Sequence, residues 1–424
     1  VIKSISERCG GDIYLGVVGA VRTGKSTFIK KFMENILVKI TALDHLGRGI
    51  GRIDGKIIFV KNAYIDEEVY VKVTKEKKKF LEGEILSFKT KSPFRIDEKC
   101  LISSCGCALK HIPYKKQLEF KEEKVKNIIS RFTGLENKVT KIISSDDIYN
   151  YRNKVTLKVN GKLGYNENES HKLIYIDRCE LLDEKINFLI NEINKLDLKN
   201  VEEVIIKKFE DTMVCFKGSV NYEKIKKHVD SIYVNDFLVY GKEKVSAKLG
   251  EFNFLISNEA FFQVNTKMAY KLYKKVEEII TKDKSKNLLD LYCGTGTIGI
   301  FLSKHFKTVY GAEINEKAVK DANENVKLNN VNNCIFEVSN LDKGIDKKAD
   351  IIVVDPPRKG LGEKTIKDII KINPEEIVYV SCDPMTLARD INLLKEKYEV
   401  KEITPLDMFP QTYHVESIVC LERK

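Results

Sequence analysis

The sequence predicts a multidomain α/β protein: a small β-barrel of the oligonucleotide-binding kind, a central α/β domain, and a C-terminal doubly wound, Rossmann-like domain. Two observations carry this prediction. The apolar run 288–291 is followed by a glycine loop and by a helical stretch from Ile298 to His305, which is the strand, turn and helix of a parallel sheet. Between residues 36 and 95, four or five short alternating segments are separated by Gly and Asp turns, a pattern typical of small barrels.

Composition limits the class of protein. The chain has 424 residues, with 73 Lys and Arg against 62 Asp and Glu, so its net charge is +11. The length indicates about two or three domains, and the basic excess favours an acidic partner such as nucleic acid. No apolar run is long enough to cross a membrane, no signal peptide is evident, and the ten cysteines are unevenly spaced. We therefore expect a cytoplasmic monomer whose cysteines serve chemistry or metal binding.

Residues 1–34 do not match the pattern that follows them. Asp12 to Val18 predicts a strand, and Gly19 to Ser26 is a full Gly-x4-Gly-Lys-Ser P-loop, a stretch that resembles the opening of the spore-coat scaffold ATPase, stage IV sporulation protein A. No second strand with a magnesium-binding Asp follows, and one strand with one helix cannot build a nucleotide pocket. We expect this segment to be a non-functional remnant of a fusion or a gene-boundary error, and 1–32 to be dispensable. The alternative is a nucleotide-hydrolysing protein that uses the P-loop.

Residues 35–95 form the predicted barrel, in which Gly49 and Gly51 are interpreted as turn residues. The segment Leu46 to Lys56, followed by Phe59 and Val60, resembles the TRAM domain of RNA-modifying enzymes. The second half of the barrel is rich in cations: Lys72, Lys75, Lys77, Lys78, Lys79, Lys89, Lys91 and Arg95. A solvated charged face is one interpretation, but a barrel of this type with this charge favours contact with RNA.

Residues 96–250 form the predicted central domain, which begins with a cysteine-rich loop. Cys100, Cys105 and Cys107 fall within eight positions, and Cys179 follows later. Four thiolates suit a [4Fe–4S] cluster or zinc. The loop resembles the cluster site of 5-methyluridine RNA methyltransferases, whose usual spacing is Cys-x5-Cys-Gly-Gly-Cys, whereas this chain has Cys-x4-Cys-Gly-Cys. Because ligand spacing matters in a closed site, free thiols are the alternative.

The rest of the central domain is a mixture of helices and strands. Helices are predicted over 117–132 and 180–196, a strand over 151–160 and a hairpin over 201–220. The stretch Tyr151 to Lys154 resembles a motif of the same methyltransferases, which implies that it lies near RNA.

The glycine loop of the C-terminal domain, residues 251–424, predicts a nucleoside-cofactor site. Gly294, Gly296 and Gly299 allow the backbone to approach a ligand closely. Glu313 ends the next strand, where a carboxylate suits a ribose diol. This spacing also fits a dinucleotide fingerprint, so NAD is an alternative. Asp290 favours S-adenosylmethionine, because at the end of the first strand it would meet the methionine ammonium.

Three further side chains stand at the ends of predicted strands. Asp355 follows strand 351–354, Cys382 follows strand 377–381, and Glu416 precedes the last strand. A thiol and a carboxylate fit methylation at C5 of a pyrimidine, because that carbon becomes nucleophilic only after a thiolate adds to C6. A base must then remove the C5 proton. Taken alone, Cys382 would be a small buried residue.

From about Met33 to Lys424 the sequence resembles the uracil-5 RNA methyltransferase family. The matching motifs are Phe-Phe-Gln-Val-Asn (261–265), Leu-Tyr-Cys-Gly-Thr-Gly (291–296), Asp-Pro-Pro-Arg-Lys-Gly (355–360), Val-Ser-Cys-Asp-Pro (380–384) and His-x-Glu-Ser (414–417).

This resemblance implies a role for each site residue. Cys382 would be the nucleophile and Glu416 the base, acting on an unstacked uridine of RNA, with 23S rRNA favoured over tRNA. Asp355 and Phe261 would also touch the uracil. The residues expected to contact S-adenosylmethionine are Gln263, Tyr292, Thr297, Glu313, Asn340 and Asp355. The rival classes are a P-loop nucleotide-hydrolysing or RNA-binding protein, and a methyltransferase for cytosine, DNA or a small molecule.

Overall fold

The computed structural model describes residues 35–100, 102, 106–166 and 173–424. The predicted P-loop segment and Cys105 lie outside the described residues. The chain divides into two compact units, one ending at Arg95 and the other running from Ile96 to Lys424. Within the described ranges, no helix is both long and apolar enough to cross a bilayer.

The first unit is a six-stranded sheet. Its strands are β1 (Ile36–Lys39), β2 (Ala42–Leu43), β3 (Gly49–Ile53), β4 (Lys56–Val60), β5 (Glu68–Glu76) and β6 (Phe80–Thr90). They lie in the order β1-β5-β6-β4-β3-β2, with β4 and β6 parallel. Val69, Val71 and Val73 of β5 alternate with more exposed residues and are fully buried, as the two-residue period of a strand requires. The predicted small β domain is confirmed.

Gly49 and Gly51 lie within β3, so their assignment to turns was wrong. A Cβ atom on Gly51 would lie 2.2 Å from Val38 Cγ1, and one on Gly49 would lie 2.8 Å from Ala63 Cβ. Glycine is required here because neighbouring segments approach the strand closely. The sequence alone does not distinguish this requirement from that of a turn.

Some cations predicted to face RNA form ion pairs inside the first unit. Arg95 donates from Nε to Glu67 Oε1 at 2.5 Å and from Nη2 to Glu67 Oε2 at 2.9 Å. The Glu67 side chain is fully buried and that of Arg95 is 9% exposed. Lys89 pairs with Glu68 at 3.0 Å at the surface. Arg95 therefore stabilises the fold, and its inclusion among the RNA-facing cations was wrong.

The second unit contains seven helices and sixteen strands among its described residues. The helices are α1 (Tyr114–Thr133), α2 (Glu184–Ile193), α3 (Thr266–Ile279), α4 (Thr297–Leu302), α5 (Glu316–Leu328), α6 (Glu363–Ile372) and α7 (Pro384–Leu394). The strands are β7 (Lys154–Asn160), β8 (Lys162–Asn166), β9 (Leu173–Tyr175), β10 (Val201–Lys208), β11 (Thr212–Gly218), β12 (Ser231–Val234), β13 (Phe237–Gly241), β14 (Val245–Leu249), β15 (Phe252–Ile256), β16 (Asp283–Leu291), β17 (Phe306–Glu313), β18 (Cys334–Val338), β19 (Ile351–Val354), β20 (Glu376–Ser381), β21 (Tyr398–Leu406) and β22 (Glu416–Arg423).

A seven-stranded sheet forms the middle of the second unit, in the order β13-β12-β11-β10-β7-β8-β9. Val204 and Ile206 of β10 are fully buried and share a core with Ile186 and Ile190 of α2. Helix α2 therefore covers one face of this sheet. The next residue of β10, Lys207, pairs in register with Lys154 of β7.

The C-terminal sheet has the order β18-β17-β16-β19-β20-β22-β21. The first five strands run parallel, and β22 runs antiparallel to both β20 and β21. Leu288 of β16 packs into one core and Leu289 into another, because successive side chains face opposite sides of a strand. Both faces are buried, which explains the unbroken apolar runs in the parallel strands. The predicted doubly wound fold is confirmed.

Polar caps fix where three helices near the sheet edge begin. Asn265 before α3, Asn315 before α5 and Asp383 before α7 each accept a hydrogen bond from a backbone N–H of the first turn. Such caps are the preferred starts of helices because the first N–H groups have no partner within the helix. The residues just before these caps are therefore held at defined positions.

Candidate active site

The predicted catalytic pair is brought together by strand direction. The parallel strands β16, β17, β19 and β20 end at one edge of the sheet, and the strand order reverses between β17 and β19, on either side of β16. Ligands bind at such a point in doubly wound sheets. Because β22 is antiparallel to β20, it begins at this edge. Ser381 pairs with Ser417, so Cys382, just after Ser381, and Glu416, just before Ser417, lie side by side.

Both residues open onto a cleft of about 620 Å³ at this edge, a size typical of small-molecule sites. Seven of the nine predicted catalytic and cofactor residues line the cleft: Gln263, Tyr292, Glu313, Asn340, Asp355, Cys382 and Glu416. Phe261, predicted to touch the uracil, also lines it. The cleft therefore collects residues from seven separate strand ends and connecting segments.

Glu313 is oriented by the backbone around it. Its Oε2 atom accepts a hydrogen bond from the Gly294 N–H at 3.2 Å, and its Oε1 atom accepts one from the Asn315 N–H at 2.9 Å. Tyr292, which begins the glycine loop, has a φ of +63°, a conformation that non-glycine residues rarely adopt outside constrained sites. A carboxylate fixed beside a tight loop suits the hydroxyl groups of a ribose.

Two residues predicted to contact the cofactor do not line the cleft. Asp290 is fully buried, and its Oδ2 atom accepts the Gly299 N–H at 2.9 Å. This oxygen therefore binds the first turn of α4, and the other carboxylate oxygen, Oδ1, is buried without a hydrogen-bond partner among the described residues. The Thr297 hydroxyl lies 2.9 Å from the Tyr273 hydroxyl, with which it shares a hydrogen bond. The contacts of both residues with the cofactor therefore stay predictions, and the contacts described here are with the protein.

The loop that begins at Asp355 is bound by α7. Thr386 Oγ1 donates to the Arg358 carbonyl at 3.2 Å, and Arg389 Nη2 donates to the Lys359 carbonyl at 2.9 Å. These bonds fix the backbone of the loop, so the Arg358 side chain is held on the side of the cleft that carries the thiol.

Burial and charge set the protonation of the cleft. Burial, followed by Glu416 and Asp355, raises the pKa of the Cys382 thiol to about 12, and Arg358 opposes this rise. Burial raises the pKa of Glu416 to about 8, with Asp355 adding to the rise, and burial raises the pKa of Asp355 to about 7. Three acidic groups that resist ionisation together form a site that a cationic ligand would stabilise.

The segment 407–415, which leads into Glu416, is bound along one stripe of α1. Its contacts are Gln117 with Gln411, Lys121 with Asp407 and the Phe409 carbonyl, and Lys124 with the Tyr413 carbonyl. Lys121 and Asp407 are both fully buried, with Nζ and Oδ1 2.5 Å apart. Breaking such a pair leaves a buried charge without a partner, so this stripe fixes the approach to β22.

Aromatic groups on this segment form one wall of the cleft. The rings of Tyr413 and His414 have centroids 4.2 Å apart, and Phe409 lies edge-on to His414 at 6.0 Å. Burial lowers the pKa of His414 to about 4, so the ring is neutral near pH 7. Across the cleft, Phe261 is 62% exposed. Exposed and neutral rings such as these can stack against a nucleobase.

Sequence reasoning gave no role to several residues that line the cleft. They are Ile314, Ser339, Asp342, Arg358, Lys359, Phe409 and His414. Ile314 directly follows the end of β17 and Ser339 the end of β18. Their positions after parallel strands were the signal that could have identified them.

Three cysteines of the central domain line a second cavity. Cys100, Cys107 and Cys179 all line it, together with Tyr149 and Gln411. Among the residues that the structure describes, no three metal-binding side chains lie close enough together to hold a single metal ion. The chemistry of the three thiols fits an iron–sulfur cluster or zinc.

Comparison with family models identifies three matching regions. Residues 223–424 match the model for tRNA (uracil-5-)-methyltransferase, and residues 33–86 match the TRAM domain. Residues 1–47 match the ATPase domain of stage IV sporulation protein A.

Relatives and a solved structure match nearly the whole chain. An uncharacterized RNA methyltransferase of Clostridium tetani is 35% identical, over 90% of this chain and 95% of the relative. One from Staphylococcus aureus is 33% identical, over 91% of this chain and 97% of the relative. The structure of Pyrococcus abyssi tRNA (uracil-54, C5)-methyltransferase with S-adenosyl-L-homocysteine matches with a TM-score of 0.75 and 30% identity, over 91% of this chain and 99% of that one.

Proposed function

The chain belongs to the uracil-5 RNA methyltransferase family, whose members depend on S-adenosylmethionine, and from this premise we propose that it methylates C5 of a uridine, with Cys382 as the nucleophile and Glu416 as the base. The observation that carries the proposal is the Ser381–Ser417 register, which supports a thiol and a carboxylate side by side in one cleft. S-adenosylmethionine supplies the methyl group as a sulfonium, and Gln263, Tyr292, Glu313, Asn340 and Asp355 would hold it.

In the proposed reaction, the Cys382 thiolate adds to C6 of the uracil and forms an S–C6 bond. The electron pair of the C5=C6 bond moves toward the C4 carbonyl, which makes C5 nucleophilic. C5 then takes the methyl group, and the electron pair of the broken S–CH3 bond stays on the cofactor sulfur. Glu416 removes the C5 proton, the C5=C6 bond forms again, and the Cys382 thiolate leaves.

Two neighbours assist these steps. Arg358 opposes the rise in the pKa of Cys382, so it favours the thiolate. A bound sulfonium would act in the same direction on Cys382 and on Glu416, because an opposite charge nearby favours the ionised form. The site is therefore best suited to ionise once the cofactor is in place.

Methyl transfer to defined RNA tests the proposal. We expect label from S-adenosylmethionine in RNA that lacks this modification, and 5-methyluridine as the labelled nucleoside. Labelled 5-methylcytidine, or labelled DNA, would contradict the proposal.

The target RNA is proposed to be 23S rRNA, on the basis of the TRAM domain and the basic charge of the chain. A second candidate is tRNA, because the Pyrococcus abyssi protein with a similar structure is a tRNA (uracil-54, C5)-methyltransferase. Both RNAs should be assayed in parallel, each transcribed without modification. Labelling of tRNA and not of 23S rRNA would overturn the first choice.

We also propose that Cys100, Cys105, Cys107 and Cys179 hold a [4Fe–4S] cluster. Support comes from the three described thiols that line one cavity. Protein purified without oxygen should carry about four iron atoms per chain, measured by elemental analysis together with zinc. Cys179→Ser should lose most of the iron, whereas Cys215→Ser, buried elsewhere in the middle sheet, should not. Iron-free, zinc-free protein with full activity would contradict the proposal.

A further inference from the structure

Lys207 is a buried lysine on β10 that binds a single stretch of backbone. Its side chain is fully enclosed, with 1% of the residue exposed. Nζ donates to the carbonyls of Ser257, Asn258 and Ala260 at 3.2, 2.7 and 3.1 Å. An ammonium group has three N–H donors, so all of them are used on this one segment.

The charge of Lys207 is stabilised by these carbonyl dipoles and not by an ion pair. Within the described part of the chain, no carboxylate forms an ion pair with it; Glu259 bonds to Lys317, and Asp321 bonds to Lys244. Burying a charge without a partner is costly. A hydrophobic residue would fill this position at lower cost, which indicates that the three hydrogen bonds matter.

The segment that Lys207 binds leads directly to the cleft. Residues 257–265 connect β15 to α3 and have no helix or strand of their own, so bonds from outside regular secondary structure must satisfy much of their backbone. Within this segment Phe261 and Gln263 line the cleft. Asn153 supports its far end, because Nδ2 donates to the Gln263 carbonyl at 3.0 Å.

We propose that Lys207 is a positioning residue, which fixes residues 257–263 so that Phe261 and Gln263 face the cleft. The roles of these two residues toward uracil and cofactor rest on the proposed function. The positioning itself does not, since it concerns only the backbone of the connecting segment.

The chain has no tryptophan, so Phe261→Trp introduces a single fluorescent reporter at the cleft. In this background Lys207→Met should raise the acrylamide quenching constant of the tryptophan about two-fold, because the segment becomes locally mobile. The affinity for S-adenosylhomocysteine, measured by calorimetry, should fall about ten-fold, because the contact groups are misplaced. Lys208→Met is the matched control, because Lys208 is the next residue of the strand and is half-buried. Its Nζ atom donates to the carbonyls of Phe209 and Glu210, so its loss should change neither the quenching constant nor the affinity.

Lys207→Arg separates positioning from general stability. Burial lowers the pKa of Lys207 to about 8, with Lys154 lowering it further and Cys215, Asp321 and Glu259 opposing. As pH rises through this value, the neutral amine loses one donor and turns a lone pair toward a carbonyl, so quenching of the reporter should increase. Arginine stays charged, so the increase should be smaller in Lys207→Arg, where only the titration of cleft groups such as Glu416 and Asp355 remains.

The outcomes decide the proposal without any assay of methyl transfer. Unchanged quenching and affinity in Lys207→Met would overturn it, as would a pH-dependent increase that is as large in Lys207→Arg as in the lysine chain. If Lys207→Met does not fold, the comparison of lysine and arginine chains across pH decides alone. Failure of the Cys382 mechanism would leave these measurements unaffected, so the two proposals fail separately.

Discussion

Cys382→Ala is expected to abolish methyl transfer to RNA while leaving the affinity for S-adenosylmethionine within a few-fold of the parent chain. The thiolate is needed only to activate the ring, because C5 of a resting uracil is not nucleophilic. The side chain lies directly after β20, is only partly buried and lines the cleft. Transfer is measured with labelled cofactor and unmodified RNA, and binding by calorimetry.

The matched control for this change is Cys420→Ala. Cys420 is buried on β22, in the same sheet, but does not line the cleft. We expect a modest loss of stability from the missing sulfur, and methyl transfer close to that of the parent chain. Turnover in Cys382→Ala comparable to that in Cys420→Ala would remove Cys382 from the mechanism.

The proposed mechanism requires that the buried thiol of Cys382 lose its proton before it acts as a nucleophile. Burial and two neighbouring acids, Glu416 and Asp355, raise the pKa of Cys382 to about 12. Without a bound ligand, the thiol would therefore remain protonated at neutral pH. Arg358 is the opposing charge, and its loop is held by hydrogen bonds from Thr386 and Arg389 of α7. Ionisation therefore depends on cations brought to the thiol, and a sulfonium is one of them. In the proposed mechanism, cofactor binding is therefore coupled to the first chemical step.

Much of the site could be predicted from the sequence, because the carboxyl ends of parallel strands meet at one edge. Glu313, Asp355 and Cys382 each follow an apolar run, and the structure collects all three in one cleft. Glu416 required more, since its place depends on β22 running antiparallel to β20. The last strand's motif indicated the residue, but only the register explains its position beside the thiol.

The sequence does not reveal what a side chain bonds to once the chain has folded. Asp290 and Thr297 stand close to the glycine loop in sequence, yet one bonds to Gly299 and the other to Tyr273. Nothing in a strand-end pattern distinguishes an acid that faces the cleft from one that caps the neighbouring helix. Lys207 escaped notice for a related reason: its carbonyl partners lie fifty or more residues away.

Glu416→Gln is expected to stop the reaction after methylation and to accumulate a covalent RNA–protein adduct that carries the methyl group. The thiolate can leave only when the C5 proton is removed, and a neutral amide is a poor base. Multiple-turnover rates should fall by about 10²- to 10⁴-fold. On denaturing gels, a protein band shifted by the mass of the RNA should appear and should retain the methyl label.

Glu376→Gln is the matched control. Like Glu416, Glu376 is a buried glutamate of the same sheet, but it lies on β20 and outside the cleft, so this variant should form no lasting adduct. Adding Cys382→Ala to Glu416→Gln should remove the shifted band, since the S–C6 bond can no longer form. Normal turnover without an adduct in Glu416→Gln would assign the base to another group, and Asp355 would then be the nearest carboxylate to test.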